Sequence, residues 1–220
     1  MARRIRGVIF DVDGTLINSN DAHACAWVEA LGAFDIHVSF EQVRPLIGMG
    51  GDKLLPALAG LEEDSELGAK IGERRAQLFS ERYFPRVRPF PKVRELLLRL
   101  RDTGLRMAVA SSAKKEELGR FLELAKVSDL IEGSTSSSDA ERSKPDPDIV
   151  HAAMTKLERE PAEVIMIGDT PYDVQAALQL GVPTIAFRCG GRSDADLRGA
   201  VRIYDGPEDL LESLADSPLA

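Results

Sequence analysis

The sequence predicts a doubly wound α/β fold with a helical subdomain inserted into it. Three observations carry that expectation: short, nearly continuous apolar runs, amphipathic helical patterns alternating with them, and one long stretch where the alternation stops. At ~150 residues per domain, 220 residues make one domain with a modest insertion.

The first run, Ile5 to Phe10, ends at Asp11. Similar runs recur at 105–111 (LRMAVAS), 164–168 (VIMIG) and 183–188 (PTIAFR). Unbroken apolar runs of this length suit central strands of a parallel sheet covered on both faces. Between them, 92–101 places Val93, Leu96, Leu97 and Leu100 on one helical face, with Pro91 before and Gly104 after. Further helices are expected over 149–157, after Pro145-Asp146-Pro147-Asp148, and over 172–180, ending at Gly181.

Residues 18–85 break the pattern. Helical segments are expected at 22–31, 40–47, 52–58 and 67–83, with no convincing strand among them. Such a stretch far exceeds a βα connection of ~2–6 residues, so it reads as an inserted helical subdomain. Its return, 84–91, is proline-rich and is expected to be non-helical. The core is therefore 1–17 with 86–220, and two short crossings give the insertion the layout of a lid on a hinge. Ser134 to Ser138 is expected to be only a loop.

Composition removes several function classes. The chain is 44% hydrophobic and 29% charged, an ordinary globular mix. Its net charge of −8 and 5% aromatic content argue against nucleic acid and anionic membranes as partners. Cys25 and Cys189 form no metal-binding pattern and are expected to be buried free thiols. The basic opening Met1-Ala2-Arg3-Arg4-Ile5-Arg6 is followed by too short an apolar stretch for a secretion signal. The longest run without a charged residue, Val174 to Phe187, has fourteen residues and contains Pro183, against the ~18–20 needed to span a bilayer. A cytoplasmic protein is expected.

Ligands of open parallel sheets bind outside the carboxyl ends of the strands. Here those ends carry Asp11 and Asp13, Ser111 and Ser112, and Asp169 with Asp173 a helical turn beyond, while Lys144 lies in a loop before a helix. Carboxylates gathered on one rim raise each other's pKa unless a cation joins them. An oxygen-only donor set without His or Cys favours Mg²⁺. Four aspartates against a dication and Lys144 leave one surplus negative charge, and protonation of Asp13 removes it while providing a general acid. A carboxylate at Asp11 attacking phosphorus forms an aspartyl-phosphate, with Lys144 and Ser111 stabilising the transferring oxygens.

Asp11-Val12-Asp13-Gly14-Thr15-Leu16, the strand end at Ser111, Lys144-Pro145-Asp146-Pro147 and Gly168-Asp169-Thr170-Pro171-Tyr172-Asp173 resemble the four motifs of the haloacid dehalogenase superfamily, in order. The resemblance implies a Rossmann-like core with a helical cap, in the group of phosphoglycolate phosphatases and β-phosphoglucomutases. By that likeness Asp11 is the nucleophile, and Asp13 protonates the leaving oxygen and later activates water. Ser111, Ser112 and Lys144 would bind phosphate. Asp11, Asp169 and the backbone carbonyl of Asp13 would hold Mg²⁺, with Asp173 supporting the metal shell and Lys144. Asp13 argues against dehalogenases, which lack that acid, and against phosphonoacetaldehyde hydrolases, which carry a small residue there. Asn18 stands where the family often has an acidic residue, which bears on the hinge.

Two cap features remain. Gly48-Met49-Gly50-Gly51-Asp52-Lys53 fits neither a dinucleotide fingerprint nor a P-loop. It resembles the glycine-rich cap loop of phosphoglycolate-phosphatase-like members, although a structural turn opening a helix explains it equally. His23 lies where some sugar-phosphate mutases of the family carry a proton-relay histidine, although packing in a cap helix is the simpler role. The expected function is Mg²⁺-dependent hydrolysis of a small phosphorylated metabolite. The alternatives are a β-phosphoglucomutase-like phosphomutase and a catalytically silent phosphate-binding module. The sequence does not indicate the oligomeric state.

Overall fold

A computed structural model describes residues 4–220, so residues 1–3 of the basic opening lie outside the described residues. In chain order the first elements are β1 (Gly7–Phe10), β2 (Ile17–Asn18), α1 (Asn20–Gly32), α2 (Phe40–Val43), α3 (Gly51–Ala59) and α4 (Glu66–Leu78). There follow β3 (Arg88–Pro89), α5 (Val93–Asp102), β4 (Arg106–Ala110), α6 (Lys115–Leu124), β5 (Gly133–Thr135) and α7 (Asp148–Leu157). The chain ends with β6 (Val164–Gly168), α8 (Pro171–Gln179), β7 (Thr184–Phe187), β8 (Arg202–Tyr204) and α9 (Pro207–Glu212).

Two compact units result, one formed by the chain up to Asn18 with Pro89–Ala220, the other by Ser19–Arg88. The return to the first unit falls at Pro89 rather than Arg86. Phe84–Arg86 is a 3₁₀ turn closed by Val87 N–H donating to Phe84 O, which keeps these residues with the helices before them. Part of the proline-rich return is thus helical after all, because Pro85 occupies the first turn, where its missing N–H has no partner to lose.

The first unit holds a six-stranded sheet in the order β5-β4-β1-β6-β7-β8. Every neighbouring pair is parallel, with Phe10 in register with Val109 on one side and Ile167 on the other. The chain runs outward from β1 through β4 to β5, then crosses to β6 and continues to β8, so the order reverses at β1. Ligands of such sheets bind at that reversal. All four residues of β1 and all five of β6 are buried, which explains their unbroken apolar sequences. On one face α7 and α8 supply Ile149, Val150, Ala153, Leu157, Ala176 and Ala177 to a core with Ile9, Ala108 and Met166. Helix α5 buries Val93, Leu96, Leu97 and Leu100 and packs on β4 and α9. Truncating one such fully buried leucine, as in Leu97→Ala, costs about 2–5 kcal/mol.

Two short edge strands were not expected. Residues 133–135 form β5 and Ser137–Asp139 a 3₁₀ turn, where only a loop was anticipated. An edge strand needs no continuous apolar run, and β5 is held by its ladder to β4 and by Thr135 Oγ1 donating to Val109 O at 2.7 Å. Strand β8, at the other edge, is likewise mostly polar and partly exposed. Helix α6 was also unanticipated; it buries Leu118, Phe121 and Leu122.

The second unit is helical. Helix α1 contributes Ala24, Trp27, Ala30 and Leu31 to a core with Val43, Leu54, Leu55, Ile71 and Leu78. The helix expected over 40–47 stops at Val43 and continues as a 3₁₀ turn, Arg44–Leu46, because Pro45 has no N–H to extend the α-pattern. Helix α4 passes into a π turn at Phe79–Tyr83. No helix among the described residues is long and apolar enough to cross a membrane. Cys25 and Cys189 are free thiols as expected, but half-buried rather than buried.

Candidate active site

Three adjacent strands deliver the polar residues. Asp11 follows β1, and its N–H donates to Ile167 O at 2.8 Å, one last rung between β1 and β6. The chain then turns sharply: Leu16 and Ile17 N–H both return to Val12 O, and Gly14 takes a left-handed φ of 79° that favours glycine. Ser111 follows β4 and Asp169 follows β6. Thr170 caps α8 by accepting from Asp173 N–H, while Asp173 Oδ2 accepts from Thr170 N–H at 3.0 Å and from Thr170 Oγ1 at 2.7 Å. Gly168 is required here, since a Cβ on it would lie 2.5 Å from Asp173 Cβ.

Lys144 joins these strand ends. Its peptide bond to Pro145 is cis, and its side chain is 1% exposed. Nζ donates to Asp11 Oδ1 at 2.5 Å and to Asp173 Oδ1 at 2.7 Å. Burial alone would lower the ammonium's pKa, but Asp11 and Asp173 outweigh it and hold Lys144 above its ordinary value. Burial pushes Asp11 well above the usual carboxylate range; Lys144 opposes this, while Asp173, Asp169 and Asp13 add to it. Burial is the larger cause, and the carboxylates that outnumber the single buried ammonium add to it.

Carboxylate oxygens of Asp11, Asp169 and Asp173 lie within 4.8 Å of one another, and all three residues are buried. Hard oxygen donors and an uncompensated negative charge fit a divalent metal ion, which would offset that charge. The grouped side chains include Asp173, expected as a supporting residue, and not Asp13, whose expected contribution is a backbone carbonyl. Asp13 sits in the turn after β1, bridged to Ile17 and partly exposed.

Ser111 is fully buried, and its Oγ accepts from Ala113 N–H at 3.1 Å, which engages the hydroxyl as acceptor. Ser112 Oγ is buried with no hydrogen-bond partner among the described residues. An orphaned hydroxyl at a strand end is suited to meet a ligand oxygen.

Sequence reasoning left two contributors unassigned. Thr15 Oγ1 donates to Asp169 Oδ1 at 3.2 Å, and Cys189 Sγ donates to Gly14 O at 3.4 Å. Thr15 stands inside the first motif and could have been singled out, whereas nothing in the sequence marks Cys189. Burial and then the charge of Asp169 push the Cys189 thiol up to about 12, so it is a neutral donor at ordinary pH.

The remaining anticipated residues belong to the helical unit. His23 is buried, stacks on Phe79 with centroids 4.1 Å apart, and meets Arg75 through Nδ1. The Arg75 guanidinium in turn lies 5.1 Å from the Phe79 ring centre and 5.8 Å from that of Trp27. Gly48 has a φ of 112°, Gly50 caps α3, and Gly51 is its first residue, with Lys53 N–H donating to Gly50 O at 3.2 Å. A Cβ on Gly51 would fall 2.6 Å from the Glu63 carboxylate, the far end of a flexible side chain that can turn aside. Within this loop it is Gly48, with its positive φ, that has a structural reason to be glycine.

The family model for haloacid dehalogenase-like hydrolases matches residues 8–187, which span every strand end described above. The chain belongs to that family. A haloacid dehalogenase-like hydrolase is thus an enzyme built on this α/β sheet. Among its relatives, a phosphoglycolate phosphatase of Salmonella choleraesuis is 28% identical over 236 aligned residues, covering 96% of this chain and 93% of the relative. The pyrophosphatase PpaX of Bacillus velezensis is 25% identical over 217, covering 97% and 95%. A solved hydrolase from Pseudomonas syringae superposes with a TM-score of 0.89 at 30% identity, covering 96% of this chain and 98% of that one.

Proposed function

We propose that this hydrolase is a Mg²⁺-dependent phosphatase that cleaves a small phosphate monoester through an aspartyl-phosphate on Asp11. The observation that carries this reading is Lys144, buried between Asp11 and Asp173 beside a third carboxylate, Asp169. That arrangement keeps a permanent positive charge against the attacking oxygen and provides a donor set for a hard cation. Relatives named phosphoglycolate phosphatase and pyrophosphatase support phosphoryl chemistry.

Asp11 attacks phosphorus through a carboxylate oxygen; the bond to the leaving oxygen breaks, and Asp13 delivers a proton to it. Asp13, now a carboxylate, takes a proton from water as that water attacks the phosphorus, returning inorganic phosphate and the free Asp11 carboxylate. Lys144, Ser111 and the unpartnered Ser112 hydroxyl donate to the phosphoryl oxygens, where negative charge builds. Asp11, Asp169 and the Asp13 carbonyl would hold Mg²⁺, with Asp173 supporting them, and the ion would supply further charge stabilisation at those oxygens.

The helical unit, read as a cap, would select the substrate, with the Gly48–Lys53 loop as its candidate contact. The packing of His23 against Phe79 and Arg75 favours a structural role for it and so favours the hydrolase over a phosphomutase. Two free thiols suit a reducing cytoplasm.

Phosphate release across 2-phosphoglycolate, hexose phosphates, nucleotides and pyrophosphate, with and without Mg²⁺, tests the reading. Metal-dependent release from one monoester far above the rest is expected. No release from any of them by folded protein would count against it, and isomerisation of a hexose phosphate on adding catalytic bisphosphate would replace it with the mutase.

A further inference from the structure

We propose that Gly190 is a positioning residue for the Asp169 carboxylate, its backbone acting as a wall that fixes where this metal-binding group stands. The inference rests on the reading of Asp169 as a metal ligand. After β7 the chain makes a 3₁₀ turn, Arg188–Gly190, closed by Gly191 at a φ of 90°. A Cβ on Gly190 would lie 1.8 Å from Asp169 Oδ2, 2.4 Å from Cγ and 2.5 Å from Cβ. Carbon atoms in contact ordinarily stand about 3.5–4.0 Å apart. Rotating the carboxylate would move Oδ2 but not Cβ, so no rotamer of Asp169 relieves the overlap. Gly190 itself is not among the residues with positive φ, so the requirement for glycine is one of space and not of backbone conformation.

The wall is braced from behind. Arg188 Nε and Nη2 bind Asp194 at 2.6 and 3.0 Å, and Nη1 binds Asp205 at 2.7 Å. Cys189 Sγ holds Gly14 O in the turn after β1, and a Cβ on Gly206 would already stand 3.3 Å from that sulfur. The turn therefore cannot withdraw without breaking these contacts. On its other oxygen Asp169 receives Thr15 Oγ1. The carboxylate is thus held between a hydrogen bond and a backbone surface, which sets the spacing of the donor group with Asp11 and Asp173. Groups that orient metal ligands in this way typically change metal affinity ~10–100-fold when altered.

The test is Mg²⁺ binding by titration calorimetry, without substrate, on the wild type, Gly190→Ala and Gly206→Ala. The last variant presses on Cys189 and not on Asp169. The expected result is a Kd for Mg²⁺ raised about tenfold or more by Gly190→Ala and changed less than about twofold by Gly206→Ala. Equal Kd values for the wild type and Gly190→Ala would overturn the proposal while leaving the metal reading intact. A wild type that binds no Mg²⁺ would overturn the metal reading and this inference with it. If Gly190→Ala fails to fold, Gly190→Ala combined with Asp169→Gly decides the matter. Recovery of cooperative unfolding in the double variant supports the overlap with Asp169, and continued failure to fold overturns it.

Discussion

Lys144 Nζ stands 2.5 Å from Asp11 Oδ1 and 2.7 Å from Asp173 Oδ1, so one buried ammonium ties the end of β1 to the first turn of α8. Removing one member of a buried ionic group leaves the others uncompensated, a loss of about 3–5 kcal/mol. Lys144→Met is expected to lose that much stability in urea denaturation and to lose turnover. Adding Asp173→Asn removes one of the stranded charges. The double variant is therefore expected to be more stable than Lys144→Met alone, with turnover still absent. A double variant less stable than the single one would show that Asp173 contributes mainly through its bonds to Thr170.

Asp11→Asn separates chemistry from architecture. The amide keeps the size of the carboxylate and removes a buried negative charge that desolvation, and then the neighbouring carboxylates, disfavour. Phosphate release is expected to fall ~10³-fold or more while the unfolding transition stays cooperative. Substantial turnover by the folded variant would remove Asp11 from the role of nucleophile.

The sequence made most of this site legible, and the limits were physical. Val8, Ile9 and Phe10 are buried on both faces, so β1 reads as an apolar run and Asp11 marks its end. The same holds for β4 and β6, whose ends carry Ser111 and Asp169. Lys144 and Asp173 were legible through the order of the motifs. Strands β5 and β8 were not, because an edge strand is covered by few neighbours and needs little apolar sequence. The approach of Gly190 to Asp169 was hidden for another reason: it depends on two loops meeting in space, which spacing along the chain does not express.

Ser112 offers a test of the phosphate-binding reading that leaves the fold undisturbed. Its Oγ is buried and makes no hydrogen bond among the described residues, so Ser112→Ala forfeits none. Stability is expected to stay the same or rise slightly, since an unsatisfied buried hydroxyl carries a desolvation cost. Inorganic phosphate, as a competitive inhibitor, is expected to bind about tenfold more weakly, the value of one hydrogen bond to a charged group. Unchanged phosphate inhibition would show that the hydroxyl faces away from the ligand.

Asp139 predicts a pH signature far from the chemistry. Lys156 Nζ, 2.8 Å from Oδ1, and the Ser136 N–H and hydroxyl, both near Oδ2, bring its carboxyl down to about 2. A carboxylate whose pKa is lower in the folded than in the unfolded chain stabilises the fold above its unfolded value of ~3.9, and that stability fades as pH falls toward the folded value. The group is partly exposed, so solvent screening limits the contribution to ~0.5–1 kcal/mol. Asp139→Asn is therefore expected to unfold at lower urea concentration than the wild type at pH 7. The two midpoints should draw together below pH 4 and meet only below about pH 2, provided both proteins still unfold cooperatively there. A gap that persists unchanged across that range would assign the loss to the amide's poorer fit in the Ser136 turn and not to the charge on Asp139.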